Sequence, residues 1–240
     1  MKRIPIISIC LLLLTTLCKA QTETVHVVQD FETWTTAGLK YKLNKKLDVS
    51  ISASLRMMHN SSVVQQYFTE LGLSYELVNN LTLGVEGRLG QRAWDYDDLR
   101  LGNQRRIFLS GQYKLKLNRL KIEPRLAYQN KTLNLNTEGF IGLDNDVHLR
   151  TKLELGYNIK NWKYDPEVSF ELFRHQNAKD GPEFSKFRLR LGTDFNLHKK
   201  GSLKVFVAYE NELNEEYPLQ STIVGVKYSF SAKLKTRKGD

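Results

Sequence analysis

The stretch Tyr67-Phe68-Thr69-Glu70-Leu71-Gly72-Leu73-Ser74-Tyr75-Glu76-Leu77, followed by Val78-Asn79-Asn80 and then Leu81-Thr82-Leu83-Gly84-Val85-Glu86-Gly87-Arg88-Leu89, decides the fold. One set of alternate residues, from Tyr67 to Leu77 and again from Leu81 to Leu89, carries no charge, whereas the other carries Glu70, Glu86 and Arg88. A period of two belongs to a β-strand with two unlike faces, and helical spacing cannot produce it. Asn79-Asn80 between the two runs suits tight hairpin geometry.

Working outward, the same unit recurs along the chain. Gly72-Leu73-Ser74-Tyr75-Glu76-Leu77 has counterparts in Gly38 to Leu43, Gly111 to Leu115, Gly156 to Ile159, Gly192 to Leu197 and Gly225 to Phe230, with the aromatic at 41, 75, 113, 157, 195 and 228. After each of the first five comes a short polar turn: Asn44-Lys45-Lys46, Asn79-Asn80, Asn118-Arg119, Lys160-Asn161 and His198 to Ser202. A second alternating strand follows each turn, and then a longer polar connection near 59–65, 91–103, 132–145, 175–183 and 211–218. Alternation of short and long connections is the pattern of an up-and-down β-barrel with one trim and one elaborate rim. The fold class is therefore all-β: an antiparallel barrel after a removable leader.

The residue count gives six strands running into turns and five running out. Single-chain bacterial barrels favour even numbers. A short first strand over Thr22 to Gln29, with a turn near Asp30, would give twelve, and ten is the fallback. Pro124 and Pro166 each lie four residues after a strand start, so bulges near the trim rim are expected to absorb their missing donors.

Residues 1–20 read as a signal peptide. Lys2 and Arg3 precede the apolar run Ile6 to Leu14, and Cys18-Lys19-Ala20 offers small residues at the cleavage-defining positions. A lipoprotein cut before Cys18 is the competing reading. Both cysteines lie in this leader, which leaves no disulfide or thiol chemistry in the remainder. Loss of Lys2, Arg3 and Lys19, with no acid in the segment, takes the net charge from +10 to +7. Charges of both signs are interspersed, which argues against nucleic acid as a partner. Residues 21–232 form the expected barrel and 233–240 a basic C-terminal tail. After the leader no stretch approaches the ~18 apolar residues of a membrane helix, so a membrane crossing must use strands.

Alternation does not say which face is outside. A soluble lipocalin-like barrel would turn the apolar face inward. Three features favour lipid. A wide meander with an apolar lumen is hard to fill. Tyr41, Tyr75, Tyr113, Tyr157, Trp162, Phe195 and Tyr228 stand near the short turns like an interfacial girdle. Gly38, Gly72, Gly192 and Gly225 lie three residues before their aromatics on the charged face, where small residues let a curved sheet close.

Asp30-Phe31-Glu32-Thr33-Trp34 followed by Gly38 to Lys46, Tyr67 to Gly72, Trp162-Lys163-Tyr164-Asp165-Pro166 and Phe187 to Asp194 together resemble a family of outer-membrane barrels catalogued as domain of unknown function number 2490. The resemblance covers nearly all of the chain after the leader. It implies a barrel fold in a Gram-negative outer membrane, with outer-membrane lipids and the barrel assembly machinery as partners, and it implies no reaction. Many outer-membrane barrels end on an aromatic; here ten mostly polar residues follow Phe230.

No catalytic, cofactor-binding or metal-binding residue is assigned, and no cofactor is expected. His26, His59, His148, His175 and His198 lack paired-ligand spacing. His59 and Ser61, with Glu70 on the next strand, are similar to the His, Ser and acid used by lipid A deacylases. A loop of turn residues is the simpler reading of His59-Asn60-Ser61-Ser62. The charged face is the better place for function. Lys121, Glu123 and Arg125 stand between strands bearing Lys114 and Lys116 on one side and Arg150, Lys152 and Glu154 on the other. Interdigitated signs favour a plugged lumen of cross-strand ion pairs over a narrow channel for a small polar solute. Mass spectrometry of the exported protein is expected to find Gln21 at its N-terminus; a lipid-modified Cys18 would identify a lipoprotein instead.

Overall fold

The computed structural model describes residues 26–93, 95–134, 143–160, 162, 164–197 and 201–233. Among these there is no helix, and twelve strand segments follow one another: β1 (Val28–Lys42), β2 (Leu47–Met58), β3 (Val63–Val78), β4 (Leu81–Ala93), β5 (Leu101–Tyr113), β6 (Leu115–Leu117), β7 (Leu120–Asn134), β8 (Leu143–Tyr157), β9 (Asp165–His175), β10 (Glu183–Asn196), β11 (Ser202–Glu212) and β12 (Leu219–Lys233). Each strand pairs antiparallel with the next except β5 and β6, which both pair with β7, and β1 pairs with β12, so the sheet closes on itself.

Twelve segments match the expected number, but the twelfth does not come from the N-terminus. The chain runs extended from Val28 through Asp30 to Lys42 without a turn. Asp30 is held inward, its carboxylate accepting the backbone N–H of His59 (2.9 Å) and of Asn60 (2.7 Å). The residues before His26, including the leader, and the basic tail beyond Lys233 lie outside the described residues. The additional segment is β6, split from β5 at Lys114. The break lies opposite Glu123-Pro124, between the pairs Gln112↔Arg125 and Leu115↔Ile122. Pro124 has no N–H to give to that ladder, and the Lys114 N–H turns instead to the Asn80 carbonyl at 2.8 Å. Neither proline needs a bulge. Register shifts fall at Arg56/Met57, Glu76/Val78 and Phe184/Lys186, and Pro166 sits beyond the last β8–β9 pair, Gly156↔Glu167, where a missing donor costs nothing in that ladder.

With β6 continuing the line of β5, eleven strands go round the barrel. An odd number in an up-and-down meander leaves first and last strands pointing the same way, so their seam must be parallel. It is: β1 and β12 pair without a slip from Val28↔Leu219 to Lys42↔Lys233. Glu32 reinforces the seam, accepting the Trp34 indole N–H (2.8 Å) and the Ser221 hydroxyl of β12 (2.7 Å).

The apolar face points outward. Leu71, Leu89, Ile107 and Leu191 are 59–65% exposed, whereas Glu32 and Glu171 on the other face are 3% and 4% exposed. This arrangement is opposite to a lipocalin-like barrel, whose binding reading falls with it. The short turns form as expected: Asn44 Oδ1 accepts the N–H groups of Lys46 and Leu47 at 2.8 and 2.9 Å, and Asn80 and Asn118 take φ of 71° and 55°. His198–Lys200 and Asn161 lie outside the described residues. The long rim is more economical than expected, because strands extend into it; the connection near 59–65 is a four-residue turn between Met58 and Val63.

Inward glycines serve the closure. A Cβ on Gly192 would stand 2.9 Å from Phe206 Cβ, and one on Gly225 would collide with the outer edge of the Phe206 ring. Gly225→Ala is expected to lose about 1–3 kcal/mol by overpacking. Phe206→Leu in the same chain should restore part of that loss, read from denaturant midpoints of the folded barrel.

Candidate functional site in the barrel lumen

Alternate residues of all eleven strands send charged side chains into a shared interior. Their mutual neutralisation organises it. Glu171 on β9 receives Arg125 of β7 at 2.9 Å, Arg150 of β8 at 2.8 Å and Arg188 of β10 at 3.5 Å. Arg188 also binds Glu210 of β11 through Nε at 2.7 Å, and Lys186 reaches the same carboxylate at 3.0 Å. On the other side of the barrel Glu70 of β3 accepts Arg88 through Nε (3.1 Å) and Nη2 (3.0 Å), and it pairs with Arg106 of β5. Nearer the short turns, Lys121 lies 3.3 Å from Glu123, 3.7 Å from Glu154 and 3.6 Å from Glu167, while Lys152 binds Glu154 at 2.6 Å.

The sequence-derived group is thus brought together in part. Lys114 pairs with Glu123 at 3.4 Å, and Lys121, Lys152 and Glu154 meet as expected. Arg125 and Arg150 instead cross to Glu171. Lys116 is exposed and makes no ion pair among the described residues.

Aromatic rings among these charges are the feature that the alternation argument missed. Trp34, Phe68, Phe108, Phe173 and Phe206 sit on the charged face and are buried. Arginines lie over them: Arg56 over Trp34 at 3.6 Å, Arg88 over Phe68 at 3.4 Å, Arg190 over Phe206 at 4.1 Å and Arg150 over Phe173 at 4.5 Å. A guanidinium is weakly hydrated and planar, so a ring face holds it in the absence of a carboxylate. Arg56 has such rings as partners and no ion pair among the described residues. The signal in the sequence was an aromatic spaced two residues from a charge, as in Glu32-Thr33-Trp34 and Arg106-Ile107-Phe108.

The space left among these groups is a cavity of about 560 Å³ reaching from the long rim to Glu86 and Lys227, lined by twelve Lys/Arg and eight Asp/Glu. Its mouth is acidic. Asp95, Asp97, Glu212, Glu215 and Glu216 line an adjoining cavity of about 510 Å³. Partial burial, followed by the influence of Glu212, Glu183 and Asp95, holds the Glu215 carboxyl above the usual carboxylate range. A larger concavity, about 860 Å³, indents the outer wall beside Leu89, Gln91 and Arg105 and lies apart from the paired charges.

His59, Ser61 and Glu70 do not assemble. His59, Asn60 and Ser61 form a left-handed turn with φ of 53°, 55° and 61°. The His59 ring stacks on Tyr96 at 4.1 Å with Nε2 2.8 Å from the Tyr96 carbonyl, and the Ser61 hydroxyl donates to the Phe31 carbonyl. Glu70 is engaged by two arginines inside the lumen.

A buried carboxylate shared by three arginines leaves uncompensated charge when it is neutralised. Glu171→Gln is expected to cost about 3–5 kcal/mol, measured by denaturant unfolding of the folded barrel, whereas Lys116→Gln should stay within about 0.5 kcal/mol.

No curated protein and no solved structure matches the chain at a significant level. A family model does match, over residues 31–218, and that span runs from within β1 through β11, with most of the lumen charges, and ends just before β12. By this match the chain belongs to the family described as "Protein of unknown function (DUF2490)".

Proposed function

We propose that this chain is an outer-membrane β-barrel whose interior is a self-neutralising polar core, closed at rest, with a structural role and at most a narrow anion-preferring leak. The observation that carries this reading is the exposed apolar wall around an ion-paired lumen. Among the described residues no helix is long and apolar enough to cross a membrane, which leaves the strands as the crossing elements.

Two aromatic belts support it. Tyr41, Tyr75, Tyr113, Tyr157 and Tyr228 mark one height. Tyr67, Phe170, Phe187 and Tyr209 mark another, with Phe187 6.0 Å from Phe170 and 6.1 Å from Tyr209 between ring centroids. Tyr67 and Tyr75 are eight residues apart on β3. That is roughly 26 Å of strand and, at barrel tilt, about 20 Å along the axis, close to the apolar band of such barrels.

Closure at rest follows from the pairing of Glu171 and Glu210 with basic groups drawn from three strands, β7, β8 and β10. The excess of Lys and Arg in the cavity sets the sign of any leak. The protein is expected to fractionate with the outer membrane and to migrate faster unheated than boiled in detergent gels. Recovery as a soluble periplasmic protein would sink the membrane reading. In planar bilayers the folded barrel should give no sustained single-channel steps; regular steps would overturn the closed interior and leave the membrane placement intact.

A further inference from the structure

His148 and His175 are far apart in sequence and directly opposite across the β8–β9 ladder. Their rings stack with centroids 4.9 Å apart and planes 10° from parallel. Asp146 lies two residues before His148 and so on the same face of β8. Its Oδ1 is 2.8 Å from His148 Nδ1 and 3.3 Å from His175 Nε2, and the three ligand atoms all lie within 4.8 Å of one another.

In the neutral imidazole, the hydrogen bonds around His148 leave Nδ1 as the bare nitrogen. His148 Nε2 is 3.0 Å from the Ser185 hydroxyl, and that hydroxyl donates to the Phe173 carbonyl at 3.4 Å. With its proton committed, Ser185 Oγ accepts from Nε2–H, which leaves a lone pair on Nδ1. That lone pair faces the Asp146 oxygen. Both atoms are shut off from solvent and neither makes a hydrogen bond among the described residues, while His148 as a whole is 6% exposed. Two buried acceptors this close repel each other unless a proton or a metal ion lies between them, and a metal ion can take the place of the proton.

We propose that Asp146, His148 and His175 form a binding site for one divalent transition-metal ion of the Zn²⁺ type. Bonds of about 2.0–2.2 Å to donors separated by 2.8 and 3.3 Å subtend angles of roughly 80–110°, a range that takes in octahedral and tetrahedral values. Two imidazoles and one carboxylate suit Zn²⁺, Ni²⁺ or Cu²⁺, whereas Ca²⁺ and Mg²⁺ call for oxygen donors. Ser185 on the far nitrogen of His148 holds that ring in place, and Lys131 pairs with Oδ2 of Asp146. The Lys131 charge weakens the site without occupying the oxygen that faces the histidines. Three protein ligands leave coordination positions open toward the cavity, and the acidic mouth at Glu212 and Glu215 draws cations to it. The site does not depend on where in the cell the barrel resides.

The test uses the full-length barrel, folded in detergent and stripped with chelator, then titrated with ZnCl₂ by calorimetry and assayed for retained zinc by mass spectrometry. The site requires about one Zn²⁺ per chain and binding at least about tenfold weaker in His175→Ala. His59→Ala, in the turn outside the site, should bind as the unaltered chain does. Heat-modifiable migration checks that each variant is folded. If His175→Ala fails to fold, Lys131→Met reads the same site without touching a ligand atom: tighter binding supports it and unchanged binding overturns it. No retained zinc in the unaltered barrel, or equal retention in folded His175→Ala, also overturns it. Equal affinity for Ca²⁺ overturns the choice of metal.

Discussion

Glu171 lies 4% exposed among the guanidinium groups of Arg125, Arg150 and Arg188, which come from three other strands. Much of the remaining architecture depends on this kind of neutralisation. A closed wall with apolar side chains outside has only its polar face left for the interior. Unpaired charges there would each carry a heavy desolvation cost. Pairing across the lumen lets the interior fill, and a filled interior holds eleven strands at fixed distances without an apolar core. The only buried apolar cluster, Trp34, Phe206, Ala208 and Ile223 among the described residues, is small and sits beside the seam.

Charge pairing alone would not pack this interior, because arginines outnumber the carboxylates that can reach them. Rings supply the difference. Phe108 has Arg106, Arg125 and Arg150 within 5.1–5.5 Å of its centroid, and Trp34 lies between Arg56 and Arg188. Stacked guanidiniums keep their edges free for carboxylates, so one arginine can serve a ring and an acid together. Arg150 does this, lying over Phe173 and binding both Glu171 and Gln129. Glycine makes room for the rings: Phe206 occupies the space above Gly225 that any Cβ would fill.

The seam carries the consequence of an odd strand number. Parallel ladders have slanted hydrogen bonds and are slightly weaker per residue. Here the seam is long and unslipped, and a buried glutamate ties β1 to β12. Trp34, whose indole donates to that glutamate, then supports Arg56 from β2, so the closure joins the charged interior directly.

The sequence by itself determined the strands, their inward and outward faces as two distinct sets, and the alternation of short and long connections. These are local properties: a period of two and turn residues such as Asn44, Asn80 and Asn118 act over a few residues. It also marked the charged face as the place of interest, and it placed Lys121 beside Glu154. Tertiary structure decided which set faces outward, because alternation is symmetric to that choice. It decided the count around the barrel, since Pro124 splits one strand and Asp30 keeps another unbroken through contacts with a turn on β2. It also decided that Arg125 and Arg150 meet at Glu171, and that His148 stands opposite His175. Those meetings depend on register between strands, which is fixed only when the whole ring closes.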